Sequence, residues 1–227
     1  MLVTNALFAQ GVAVVELFTS QGCSSCPPAD RNLSAIIERA KLEDKEVYAL
    51  SFHVDYWNHL GWRDPYSDKG YTARQRMYAS TLHLASLYTP QMIVNGSIEF
   101  VGSNQLASRE AITKALDTKA VYRLTLSDIG VTNGKLKVHY SLNQRPSGER
   151  LNVAIVEKNI ENGVSRGENS GRKLHHSNVV RVFSTLPLKK EDDVEVALVD
   201  IIPEECQLIV YIQNDQMEVL GAASSPL

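Results

Sequence analysis

Cys23 and Cys26 are the residues best placed by type and spacing to do chemistry. They stand in the run VVELFTSQGCSSCPPADRNL, residues 14–33. Two thiols so spaced can close a small-ring disulfide. The run reads as an apolar strand, a short turn and the start of a helix, so the first thiol sits at a helix N-terminus. Unpaired backbone N–H groups and the helix dipole favour a thiolate there. A lowered thiol pKa is what thiol–disulfide exchange needs near neutral pH. Cys23 is therefore expected to be the more exposed and more acidic thiol, because Cys26 enters the first turn and is followed by Pro27 and Pro28. An inert structural disulfide fits the same spacing, and so does half of a zinc site. Zinc is disfavoured because the chain has 3 cysteines, no second CxxC and no His pair at finger spacing. No cofactor is called for.

Other residues could serve the same site. Glu16 interrupts an apolar strand seven residues before Cys23. It is either a buried acid with a raised pKa or a carboxylate that faces water or pairs with a base. His53, Asp55 and Trp57 alternate at the end of the second predicted strand, where sites gather in α/β sheets. They are expected beside the cysteines, with a satisfied His–Asp pair as the plainer reading. His53, Asp55 and His59 match no specific metal motif, so no metal site is assigned. His175 and His176 are adjacent on a predicted strand, point to opposite faces and read as structural. Cys206 shares a face with Leu208, Val210 and Ile212 and reads as a buried, inert thiol.

These residues need elements to position them. Val12, Val14, Val15, Leu17 and Phe18 predict a strand over 11–20. Proline is tolerated in a first helical turn, and Ala29, Leu33, Ile36, Ile37 and Ala40 recur at helical spacing. A strand follows over 46–54. Residues 55–88 form an insertion-like segment, loop first and then a helix over 72–86 with Ala73, Met77, Thr81 and Leu84 along one side. Thr89-Pro90 precedes a strand over 91–94, a turn at Asn95-Gly96 and a second strand over 98–101. Ser108 is positioned to cap a helix over 109–116.

From Val121 onward the pattern has period 2, with turn signals at Asn133-Gly134, Asn162-Gly163, 167–171 and Pro203. Six or seven strands here fit a small antiparallel β-sandwich. The fold class is thus α/β plus β, with domains over 11–117 and 121–227. The joint, DTKAV, is too short for independent tumbling.

Composition bounds the function. The chain has 227 residues, 44% apolar content and a net charge of −3. The apolar fraction supplies a real core, and the absence of basic clusters argues against nucleic acid as a partner. No run approaches a membrane span. The opening MLVTNALFAQ looks like the tail of a secretory signal, with cleavage after Ala9. An ordinary N-terminal strand is the alternative. Export would place the chain in an oxidising compartment, periplasmic or extracellular, where a CxxC disulfide persists.

The order strand, CxxC helix, strand, helix, Thr-Pro, hairpin, helix resembles the thioredoxin superfamily over residues 11–117. That resemblance implies a cis-proline at Thr89-Pro90 packed against the CxxC, and a proton-moving acid at Glu16. The stretches GCSSCPPAD, SFHVDYWNHLGWRDPYS, YTPQMIVNG and GENSGRKLHHSNVVR resemble, more closely, a family of exported bacterial thioredoxin-like proteins known as domain of unknown function 1223. The chain departs from thioredoxin itself in three ways. Ser24-Ser25 lies between the cysteines, Pro27-Pro28 follows them, and the 55–88 segment is enlarged. The resemblance implies an exported thiol–disulfide oxidoreductase with a protein thiol or disulfide partner. Cys23 would exchange, Cys26 would resolve, and Thr89 and Pro90 would receive the partner's backbone. The alternatives are a secreted binding module with a permanent disulfide and a copper-handling protein.

Overall fold

The computed structural model describes residues 11–227. The signal-like decapeptide lies outside the described residues. The described residues form fourteen strands and α-helices in chain order: β1 (Ala13–Thr19), α1 (Pro27–Leu42), β2 (Val47–His53), α2 (Lys69–Thr81), β3 (Gln91–Val94), β4 (Ile98–Val101), α3 (Gln105–Asp117), β5 (Leu124–Thr132), β6 (Lys135–Leu142), β7 (Arg150–Gly163), β8 (Lys173–Pro187), β9 (Glu191–Ala197), β10 (Cys206–Gln213) and β11 (Val219–Pro226). Two short 3-10 turns, Asn58–Leu60 and Pro203–Glu205, complete them. None of the described helices is long and apolar enough to cross a membrane.

A large mixed sheet of eight strands runs β11-β10-β7-β8-β2-β1-β3-β4, and a separate antiparallel sheet runs β5-β6-β9. β1 is parallel to β2 and antiparallel to β3. β8 joins the free edge of β2 in parallel at Ser51 and Val179, so the sheet passes from the first half of the chain into the second. An open β2 edge would present unpaired backbone groups, and β8 covers it. This corrects the expected sandwich. The three-stranded sheet packs on strands that themselves extend the large sheet, not on a second sheet of their own.

Side-chain alternation makes the layers. Val14, Phe18, Leu50, Phe52, Ala154, Val156 and Tyr211 lie on one face of the large sheet, against Tyr71 and Tyr78 of α2. Ala13, Val15, Leu17 and Ala49 lie on the other, against Ala29 and Leu33 of α1 and Ala111 and Ala115 of α3. Beyond the helices, Leu151, Val153, Ile155, Leu208 and Val210 meet Leu136, Val138, Tyr140, Val194 and Val196 of the small sheet.

The predicted turns at Asn95-Gly96 and Asn133-Gly134 are present, each with positive φ at both residues. Three boundaries moved. β7 continues through Asn162-Gly163, and its hairpin turns over 164–172 instead. α3 starts at Gln105 because Asn104 caps it, accepting from Ala107 N–H at 3.1 Å, while Ser108 sits inside the helix and donates to Asn104 O at 2.8 Å. α2 starts at Lys69 because Asp68 caps it through Gly70 N–H. It buries Tyr71, Thr72, Arg74, Gln75 and Tyr78, not the stripe expected from apolar spacing, and leaves Met77 57% exposed. Its buried face is polar because it satisfies a charge in the core.

Candidate functional site: a CxxC disulfide beside a cis-proline

Cys23 and Cys26 form a disulfide with Cα atoms 5.4 Å apart. The turn is closed by Cys23 N–H to Ser20 O at 3.1 Å and Cys26 N–H to Cys23 O at 3.2 Å. Cys26 is the N-cap of α1, with Pro27 and Pro28 next. The Ala29 and Asp30 N–H groups both bond Cys26 O. This revises the electrostatics. The prolines remove two of the donors that a helix start usually offers a thiolate, leaving the dipole. The donor that does reach Cys23 Sγ is the Ser25 hydroxyl, at 3.3 Å.

Neither cysteine is exposed: both are wholly buried. The expected exposure of Cys23 is therefore corrected for the disulfide form. Ser24 and Ser25 are the exposed members of the turn. Their neighbours account for the burial. The tip of the β7–β8 hairpin, 164–172, lies against the turn. Asn169, wholly buried, donates from Nδ2 to Gln21 O and Cys23 O, both at 2.9 Å, and Arg172 holds its Oδ1 at 3.0 Å. Glu168 accepts from Ser24 N–H at 2.9 Å. Asn169→Ala removes two bonds that hold the turn. Local opening becomes easier, and reduction of the disulfide by dithiothreitol should accelerate about tenfold, the equivalent of about 1.4 kcal/mol. An unchanged rate would show that the hairpin does not restrain the turn.

Thr89-Pro90 is cis, and Cys23 Sγ lies 3.9 Å from Thr89 O. In the disulfide that sulfur has no proton, so this is a contact. Trp57 Nε1 donates to Thr89 Oγ1 at 2.8 Å. A side chain on Gly22 would come within 3.0 Å of Trp57 Cβ, so Trp57 packs beside the turn as expected. Gly102 closes the far side: a Cβ there would meet Leu17 at 2.8 Å, Ala29 at 3.0 Å and Pro90 at 3.4 Å.

The other predicted residues divide. Asp55 faces α2, accepting from the Thr72 hydroxyl at 2.5 Å, and has no bond to the CxxC turn. His53 is wholly buried and pairs with Asp64, not Asp55, at 2.7 Å. Asp64 also accepts from Gln21 N–H at 2.8 Å, which ties the pair to the residues just before Cys23. Burial alone would lower the His53 pKa, but the charge and hydrogen bond of Asp64, with the Asp30 charge, outweigh it and raise it. Burial likewise opposes ionisation of Asp64, and His53 with the Gln21 and Tyr66 N–H groups holds its carboxyl below the ordinary value.

Glu16 faces away from α1, on the α2 side of the sheet. Arg74 binds it bidentately at 2.6 and 2.7 Å, and the Tyr78 and Tyr211 hydroxyls donate to it at 2.5 and 3.1 Å. Of the two readings of Glu16, a proton-moving acid or a carboxylate paired with a base, the geometry is that of the second. The buried acid near Cys26 is Asp30, one helical turn on, which accepts from the Thr19 hydroxyl at 2.9 Å. His176 is buried with Nδ1 3.5 Å from Asp30, while His175 is exposed on the opposite face. Cys206 is a free, buried thiol whose pKa burial pushes up to about 11. Among the described residues no group of three or more His, Cys, Asp or Glu side chains is arranged to hold a metal ion.

Sequence reasoning missed Asp64, Asp30 and Asn169 as site residues. All three lie in the quoted stretches, Asp30 in GCSSCPPAD, Asp64 in GWRDPYS and Asn169 in GENSG, whose glycines and prolines marked irregular backbone. Their roles depend on which strand lies beside which.

A family model described as "Protein of unknown function (DUF1223)" matches residues 14–213. The chain belongs to that family. Protein AGR_C_4864 from Agrobacterium tumefaciens has a solved structure that is similar at 27% identity and a TM-score of 0.70, covering 95% of this chain and 94% of that one. A β-glucuronidase from Ruminococcus gnavus overlays 45% of this chain and 14% of its own at 13% identity and a TM-score of 0.24, too low to carry an argument. No curated protein matches.

Proposed function

We propose that this DUF1223 member is an exported thiol–disulfide oxidoreductase whose first half is thioredoxin-like. The observation that carries this reading is the Cys23–Cys26 disulfide at the start of α1, with Cys23 Sγ 3.9 Å from the carbonyl before a cis-proline. A partner thiolate attacks Cys23 Sγ, the S–S bond breaks, and the electron pair stays on Cys26 Sγ. A second partner thiolate then attacks the partner sulfur of the mixed disulfide and releases Cys23. The partner leaves as a disulfide and the CxxC as a dithiol. The backbone at Thr89 and Pro90 receives the partner segment as an added strand.

Burial of both sulfurs favours a second reading, a secreted binding module with a permanent disulfide. The reduction potential separates the two. Exchange requires a value well above about −300 mV, and a structural disulfide lies below it. Cys26→Ser should capture partner thiols as mixed disulfides on Cys23, and Cys23→Ser should capture none. Equal capture by both variants, or by neither, removes the exchange reading.

A further inference from the structure

Next to Asp30 and Asp64 lies a pair of buried histidines that the exchange step leaves unused. His53 at the end of β2 and His176 on β8 meet edge to face with ring centroids 4.7 Å apart. His53 is wholly buried and His176 nearly so. His53 Nδ1 is taken by Asp64, but His53 Nε2 and both nitrogens of His176 have no hydrogen-bond partner. Buried polar atoms are ordinarily paired, so three nitrogens without partners on two adjoining rings call for an explanation. Asp30 Oδ1 lies 3.5 Å from His176 Nδ1. Asp30 stands four residues after Cys26, with its N–H on Cys26 O at 3.1 Å. Side chains at that helical spacing are neighbours, which links the pair to Cys26 through one carboxylate.

We propose that the His53–His176 pair, held between Asp64 and Asp30, gives up a proton to Cys26 by way of Asp30 when the disulfide opens and takes it back when the disulfide closes. This rests on the thiol-exchange reading. Opening leaves the electron pair of the S–S bond on Cys26 Sγ, and a thiolate in a buried site is costly unless neutralised. A proton passing from the imidazolium to that sulfur makes the thiol and leaves a neutral imidazole. In reverse, the imidazole takes the proton, and the Cys26 thiolate attacks the mixed disulfide at Cys23 and expels the partner thiolate. Histidine suits this task because its charge changes near neutral pH. The groups facing the pair are Asp30 from α1 and Asp64 and Tyr66 from the segment after β2. The Tyr66 ring lies 5.7 Å from that of His53, with Arg181 stacked on it at 5.5 Å. The Asp64 and Asp30 charges favour the protonated form of His53 against its burial. Glu16, committed to Arg74 on the other sheet face, supplies nothing here.

The test is stopped-flow reduction of the full chain by dithiothreitol from about pH 5 to about pH 9. Each rate is divided by the dithiothreitol thiolate concentration, so that the remaining pH dependence belongs to the protein. The wild-type rate should rise toward low pH with an inflection in the neutral range. His176→Asn should abolish the inflection and lower the low-pH rate by about tenfold or more. Asp30→Asn, which keeps the side-chain shape, should move the inflection to lower pH. Retention of the wild-type profile by the variants overturns the proposal, as does a wild-type profile without an inflection. Should His176→Asn fail to fold, an unmoved inflection in Asp30→Asn is decisive against it. A wild-type disulfide that reacts no faster than that of a short unstructured CxxC peptide removes the exchange reading itself, a result distinct from a reactive wild type with unaltered variants.

Discussion

Arg74→Met is expected to destabilise the protein by about 3–5 kcal/mol in urea unfolding at neutral pH. Arg74 and Glu16 are 6% and 2% exposed, and their pair is surrounded by the core. The Arg74 nitrogen that bonds Glu16 Oε1 also lies within hydrogen-bond distance of the Tyr78 and Tyr211 hydroxyls, at 2.9 and 2.8 Å, and of Gln213 Oε1, at 3.0 Å, sharing its two protons among them, and the guanidinium stacks on Phe183 at 4.6 Å. Asn152 of β7 reaches the same Gln213 oxygen at 2.9 Å. The network thereby ties β1, the 55–88 segment and the second half of the chain together. Removing the cation leaves a buried carboxylate, which costs far more than the pair gains. Adding Glu16→Gln to Arg74→Met should therefore recover more than half of the loss, a coupling that a double-mutant cycle reads directly. An Arg74→Met cost below about 1 kcal/mol would mean that water reaches the site. Glu16→Gln alone should leave the thiolate-corrected reduction rate of the disulfide unchanged, because Glu16 and Cys26 lie on opposite sides of the sheet.

The His53–Asp64 pair should give stability a pH window. His53 has a folded pKa raised above the ordinary value of 6.5, so its contribution is fully present below 6.5 and is lost as pH rises through the folded value. Asp64 has a folded pKa lowered below the ordinary 3.8, so its contribution is present above 3.8 and is lost as pH falls through the folded value. Both hold together between those two ordinary values. Asp64→Asn should therefore cost most there, about 3 kcal/mol, and progressively less at alkaline pH, where His53 is neutral in either protein. Guanidinium unfolding of wild type and variant across that range measures it. A difference that grows from the window into the alkaline range would mean that His53 is neutral throughout.

The strand–turn–helix around Cys23 and Cys26, the two Asn-Gly hairpins, the proline before β3 and six of the seven strands after residue 121 were legible in the chain; β11 (Val219–Pro226) was not. Each rests on local physics: period-2 or helical spacing, φ > 0 at Asn-Gly, a proline in a first helical turn. The buried, inert Cys206 and the opposite orientations of His175 and His176 follow from strand alternation alone. The rest needed the tertiary structure. Glu16 read as an acid for Cys26, but the face it occupies places it against Arg74, fifty-eight residues away. The buried face of α2 was misread because periodicity counts apolar residues, and this face is polar to satisfy that one charge. His53 found His176 only because β8 lies beside β2, and Asp64 only because the irregular segment after β2 folds back on it. Strand order is set by non-local pairing and edge coverage, which leave no periodic trace in the chain. Sequence therefore determined which residues could do chemistry and which elements carry them. The tertiary structure decided which of them meet, because a carboxylate or imidazole acquires its role from the charges, donors and burial that other segments bring to it.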